Sequence, residues 1–132
     1  MTSHRLPNIA DFEAVANQTF AKLPASFRDM TKDVLIRVEE FPTAEVLQSL
    51  HIESPYGLLG LYHGVDLTRQ SVLDVSPLPE MIFLYRRPIL AYWETHDEAL
   101  EDIISHVLVH EIGHHFGLSD DDMERIESEA PG

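Results

Sequence analysis

Apolar residues recur along the chain with two periods, and the period assigns the elements. Ile9, Phe12, Val15, Ala16 and Phe20 are spaced three and four apart. That spacing predicts a helix over 9–22, with Asn8 as its cap and Pro24 beyond its end. Val34, Ile36 and Val38 alternate with Leu35, Arg37 and Glu39, the pattern of a strand over 33–41 with one buried face. Pro42-Thr43 opens a short helical turn to about Leu50, and Ser54-Pro55-Tyr56-Gly57 is a turn signal. Two apolar runs of strand length follow, 58–63 and 81–86, with a polar loop ending at Pro77-Leu78-Pro79 between them. Pro88 stops the second run.

The last third reads as one long helix and one short one. Thr95 and Glu98 match a capping box, and a helix from there to Phe116 spans ~30 Å. Leu100, Ile103, Ile104, Val107, Leu108 and Ile112 give it a broad apolar face, so it is expected to be buried. Gly117 is a natural stop. Ser119-Asp120-Asp121-Asp122 then supplies a cap and an acidic first turn for a final helix. No repeat, low-complexity segment or linker divides the chain, which predicts a single domain over 1–132.

Composition narrows the chemistry. Cysteine is absent, so disulfides, thiolate metal sites and cysteine nucleophiles are excluded, and any metal must be held by His, Asp, Glu or main-chain oxygen. Nine basic residues against 23 acidic ones give a net charge of −14. Phosphate binding needs a basic surface, and the nearest basic cluster is Arg86-Arg87, so nucleic acid and anionic membrane are not expected partners. Solubility explains the acidity more simply than a taste for basic substrates does. No stretch approaches the ~20 apolar residues of a membrane span and residues 1–12 hold no long apolar run, so a cytoplasmic location is expected.

Within the long helix lies His110-Glu111-Ile112-Gly113-His114. Residues four apart stack on one helix face, so His110 and His114 can share one tetrahedral Zn²⁺ per chain. Glu111 follows the first ligand and can reach the open side of the metal, where it would take a proton from a zinc-bound water. The run continues through Gly117 to Asp120, giving H-E-x-x-H-x-x-G-x-x-D. It resembles the metzincin signature, with aspartate where the third histidine stands. A carboxylate is an accepted zinc ligand, so Asp120 becomes the candidate third ligand. Glu124 and Glu127 are its rivals, because another zincin class takes a glutamate from a later helix.

The chain is also similar to a family of very small bacterial zincin-like metallopeptidases. The resemblance rests on Leu58-Leu59-Gly60-Leu61-Tyr62 with Gly64, on Phe83-Leu84-Tyr85-Arg86-Arg87-Pro88, and on the run from Val109 to Asp120. It covers roughly the last two-thirds. It implies an α+β, zincin-like fold: a small, mostly antiparallel sheet of about three strands packed on the N-terminal helix and the long active-site helix. The implied function is zinc-dependent hydrolysis of a peptide or protein substrate, with Glu111 as general base and His110, His114 and Asp120 on the metal. Twelve residues follow Asp120, too few for the Met-turn segment of larger metzincins. A shallow cleft is therefore expected, or one completed by a partner or a second copy, and Met123 is not taken as the Met-turn residue.

Competing readings exist for each residue. A non-catalytic metal-binding or partner-binding module would keep His110 and His114 but has no use for Glu111. Asp120 could simply cap the last helix. His106, four before His110, is read as a satisfied helix histidine or a group beside the metal. His115 lies ~140° round the helix from His110 and should not join its metal. His4, His51 and His96 are read as surface histidines. Tyr62, His63 and Tyr85 are candidates to stabilise an oxyanion, and the strand over 58–63 is a candidate edge for pairing with an extended peptide.

Overall fold

In a computed structural model of the chain, residues 6–31, 34–63 and 80–129 are described. The expected loop ending at Pro77-Leu78-Pro79, and also Gly64, Asp33 and His4, lie outside them. Helix α1 (Ile9–Ala21) starts at Asn8: its side chain accepts the Asp11 amide at 2.8 Å, and Asp11 accepts the Asn8 amide at 2.9 Å. Two orphan donors of the first turn are thereby satisfied. The inward stripe of α1 buries Phe12 and Ala16 completely. Pro24 ends α1 and also serves as N-cap of a short helix, α2 (Ala25–Met30), whose Phe27 joins the core. Six residues are too few for a helical period to show in the sequence.

Strand β1 (Leu35–Glu39) is followed by α3 (Ala44–Ser49), capped by the Thr43 hydroxyl on the Val46 amide at 3.2 Å. A 3₁₀ turn at Pro55–Gly57 leads into β2 (Gly60–His63), and β3 (Met81–Tyr85) completes the sheet. The order is β1-β3-β2. β3 is antiparallel to β2 but parallel to β1, so the sheet is evenly mixed and not mostly antiparallel. β1 and β3 are separated by α3 and β2, and parallel neighbours need a long connection of that kind. The expected α+β architecture is otherwise present: a three-stranded sheet against α1 and a long C-terminal helix.

Strand alternation sorts the two faces of the sheet. Ile82, Leu84 and Val38 are buried on the helix side, where Gly60 and Tyr62 share their register. Leu61, His63, Phe83 and Tyr85 face the other way. With Glu39, Phe41, Thr43 and Val46 they line a cavity of about 330 Å³.

The residues after β3 correct the expectation most. Pro88 does not stop the chain; it lies in the first turn of α4 (Arg86–Thr95), where its missing N–H costs nothing. Thr95 closes α4 and does not cap the next helix. The following helix, α5 (Leu100–His115), starts after Ala99 with no side-chain cap and is 16 residues long. Arg86, the first residue of α4, is buried, donates from Nε to the Pro7 carbonyl at 2.7 Å and pairs with Glu40 at 2.9 Å. The basic pair seen in the sequence is therefore engaged within the fold, since Arg87 also faces Glu40 at 3.7 Å.

Helix α5 is the core of the protein. Ile104, Leu108, Val109 and Ile112 are fully buried, each worth about 1.5–3 kcal/mol of apolar burial. Gly117 ends the helix region with φ of 73°, and the chain reverses into α6 (Asp120–Glu129). Ser119 caps α6: its hydroxyl accepts the Asp122 amide at 3.1 Å, and Asp122 accepts the Ser119 amide at 3.3 Å. Met123 of α6 is fully buried against Gly113 of α5, and a methyl group on Gly113 would meet Met123 Sδ at 2.5 Å and Cγ at 2.8 Å. Alanine favours a helix over glycine by about 1 kcal/mol, but overpacking costs about 1–3 kcal/mol. Gly113→Ala is therefore expected to lower the urea midpoint, a net loss of roughly 1 kcal/mol. A raised midpoint would show that α6 is not seated on α5 in this way.

Candidate active site

Helix α5 carries His106, His110 and His114 at successive four-residue steps, with Glu111 beside the middle one. α6 runs back along α5, because Gly117 reverses the chain and Met123 docks at Gly113. The acidic residues of α6 are thus delivered to the histidine ladder. Glu127 Oε1 lies 2.9 Å from His106 Nδ1, and its Oε2 lies 3.7 Å from His110 Nε2. Among the described residues, His106, His110 and Glu127 form a group whose ligand atoms all fall within 4.8 Å of one another.

Of the ligands singled out by the sequence, His110 belongs to this group and His114 and Asp120 do not. His110 and His114 sit one turn apart on α5 with their rings perpendicular and 5.8 Å between centroids. Asp120 begins α6, and its charge acts on His110. Glu111 is half-buried against the sheet edge. The structure also brings to His110 two residues the sequence had offered as lesser readings, His106 and the rival ligand Glu127. The sequence signal for His106 was one more four-residue step along the ladder, and for Glu127 its place as a glutamate on a later helix.

Electrostatics favour the ligating form of His110. Burial, followed by the neighbouring His106, lowers its pKa below the ordinary histidine value, while the Glu127 carboxylate opposes the shift. The imidazole is therefore neutral at pH 7, with a lone pair to donate. For Glu111, burial raises the pKa, while His114 and a hydrogen bond from the Tyr62 main chain pull it back. That hydrogen bond follows from strand geometry. The Tyr85 amide donates to the Leu59 carbonyl at 2.9 Å, so by antiparallel alternation Tyr62 turns its main-chain groups to the edge of β2 that no other described strand covers. Glu111 meets the edge strand there.

The candidate oxyanion groups separate by face. The Tyr62 ring lies on the helix side, stacked on His115 at 4.0 Å, with its hydroxyl donating to Glu80 at 3.0 Å. His63 and Tyr85 point to the opposite face and line the cavity there. His115 is turned to Tyr62 and away from the ladder, as its position round the helix requires. His51 and His96 are exposed, the latter stacked on Tyr92. Glu124 is also exposed on α6.

Two imidazoles one turn apart on a buried helix, a carboxylate beside the edge strand and a carboxylate returning on the next helix thus stand close together. A family model described as zincin-like metallopeptidase matches residues 31–130. The chain belongs to that family. No curated protein matches it.

Two tyrosines around this site have raised pKa values. Burial, and then hydrogen bonding to Glu80, keeps the Tyr62 phenol protonated well above its ordinary range. Burial, and then the charges of Glu39 and Glu111, pushes Tyr85 up to about 12 from 10.0. A raised native pKa means a contribution that is complete below the unfolded value near 10 and is lost as the pH climbs through the native one. Stability to urea is expected to fall between about pH 10 and 12, and less steeply in Tyr85→Phe. Equal slopes in the two proteins would show that the Tyr85 phenol is not held protonated by the fold.

Proposed function

We propose that the protein hydrolyses peptide bonds with a divalent metal, zinc, held by His110, His114 and Asp120, with Glu111 as general base. The observation that carries this reading is the placement of Glu111. It lies beside a histidine ladder and is tied to the main chain of the edge strand that an extended peptide would join. Membership of the zincin-like metallopeptidase family supports the same class of reaction.

The residues fit such an ion. The donor set is two imidazoles and a carboxylate in a chain with no cysteine, a borderline N/O set suited to Zn²⁺. His110 is kept neutral by burial, as ligation requires. When bound, the metal supplies Lewis acidity, lowering the pKa of a water and polarising a carbonyl oxygen.

The chain's own groups do the rest. Glu111 accepts a proton from the attacking water at a carboxylate oxygen and then passes it to the leaving amine. A base must both take and release that proton, so a carboxylate with its pKa lifted by burial is better matched than an exposed one. The hydrogen bond from Tyr62 fixes the carboxylate's direction without protonating it. The edge of β2 that no other described strand covers offers main-chain groups to an extended substrate, which would bind by strand addition.

Glu111→Gln is expected to keep its metal content by elemental analysis. Its hydrolysis of a fluorogenic peptide library should fall by about 10²–10⁴-fold, the range for loss of a general base. Turnover at the wild-type rate would remove Glu111 from the chemistry.

A further inference from the structure

The histidine ladder on α5 has three rungs, and a metallopeptidase site uses two. His106 and His110 have the same four-residue spacing as His110 and His114. The extra rung comes with its own carboxylate. Glu127 divides its two oxygens between the upper pair, one 2.9 Å from His106 Nδ1 and the other 3.7 Å from His110 Nε2. Ligand atoms ~2.0–2.2 Å from a tetrahedral zinc stand about 3.3–3.5 Å apart. The two observed separations bracket that edge, so small rotations of these side chains would admit an ion. Surface histidine–glutamate pairs need only one contact. Here a single carboxylate faces two imidazoles, whose centroids are 3.9 Å apart and whose planes are tilted by 33°.

We propose that the α5–α6 hairpin holds a divalent cation in either of two overlapping positions that share His110. One uses His114 and Asp120; the other uses His106 and Glu127. The inference rests on the metal site proposed above and adds a second seat to it. Ions held in turn by one His110 nitrogen at ~2.0–2.1 Å would stand within about 4 Å of each other, so the seats overlap. A neutral imidazole has one free lone pair, so His110 serves one seat at a time. The chain therefore binds one cation, and the upper seat competes with the lower one. Glu127 reaches the upper seat from the second turn of α6, so the docking of α6 on α5 governs this competition.

The test is zinc content of the full chain by equilibrium dialysis and elemental analysis. It compares wild type with His114→Ala, His114→Gln, His106→Ala and the two double variants that add His106→Ala or Glu127→Gln to His114→Ala. Circular dichroism confirms that each is folded. His114 is exposed, and the glutamine variant covers the case in which alanine perturbs α5. Wild type and His106→Ala should each hold about one zinc, as a single shared imidazole dictates. His114→Ala should still hold about one, 10–100-fold more weakly, and either double variant should lose it. Complete loss in both His114 variants while wild type binds zinc would overturn the second seat and leave the proposed function standing. So would zinc retained undiminished in the double variants. A wild-type chain that binds no zinc would overturn both.

Discussion

The seating of Met123 over Gly113 is the contact on which the rest of the site depends. The histidines are on α5 and the candidate carboxylate ligands are on α6, so the two sets meet only if the helices pack in one register. Gly117 turns the chain with φ of 73°, a conformation that costs a residue with a side chain roughly 1–2 kcal/mol. The absence of a side chain at Gly113 then lets α6 approach closely enough to bury Met123 completely. That register lets the Asp120 charge act on His110 and puts Glu127 beside His106 and His110.

The buried faces of α5 hold this arrangement against the sheet. Ile104, Leu108 and Ile112 anchor the helix in a core shared with α1 and β3. Its remaining surface is divided between two polar tasks. One side carries the ladder that faces α6. The other presents Glu111 to the Tyr62 main chain and His115 to the Tyr62 ring. The edge strand is thus coupled to the helix through both the backbone and the side chain of one residue. Substrate pairing at the edge of β2 would take place next to the proposed base.

Local chemistry was legible in the sequence and long-range register was not. Asn8, Thr43, Ser119 and Gly117 each mark a boundary that the structure keeps, because capping and left-handed turns are decided within a few residues. The His110-Glu111-His114 motif was visible for the same reason, as helical spacing is local. One proline misled. Pro24 ends α1 as its position suggests, but Pro88 looks like a terminator and stands in the first turn of a helix, where a proline is tolerated. Once α4 was missed, Thr95 read as a cap for the next helix. The parallel pairing of β1 with β3 could not be read from alternation, which fixes faces but not neighbours. The Glu127 contacts and the Tyr62–Glu111 bond depend on packing between distant segments. His106 carried a spacing signal, but no local pattern shows which carboxylate will meet it.

Anomalous scattering at the zinc edge, from crystals of the full chain grown with zinc, tests most directly the claim that the α5–α6 hairpin is a metal centre. The expected result is one strong peak per chain at His110, flanked by His114 or His106 and by a carboxylate of α6. A structure with the same hairpin but no peak at His110, or a peak only at unrelated surface residues, would contradict it.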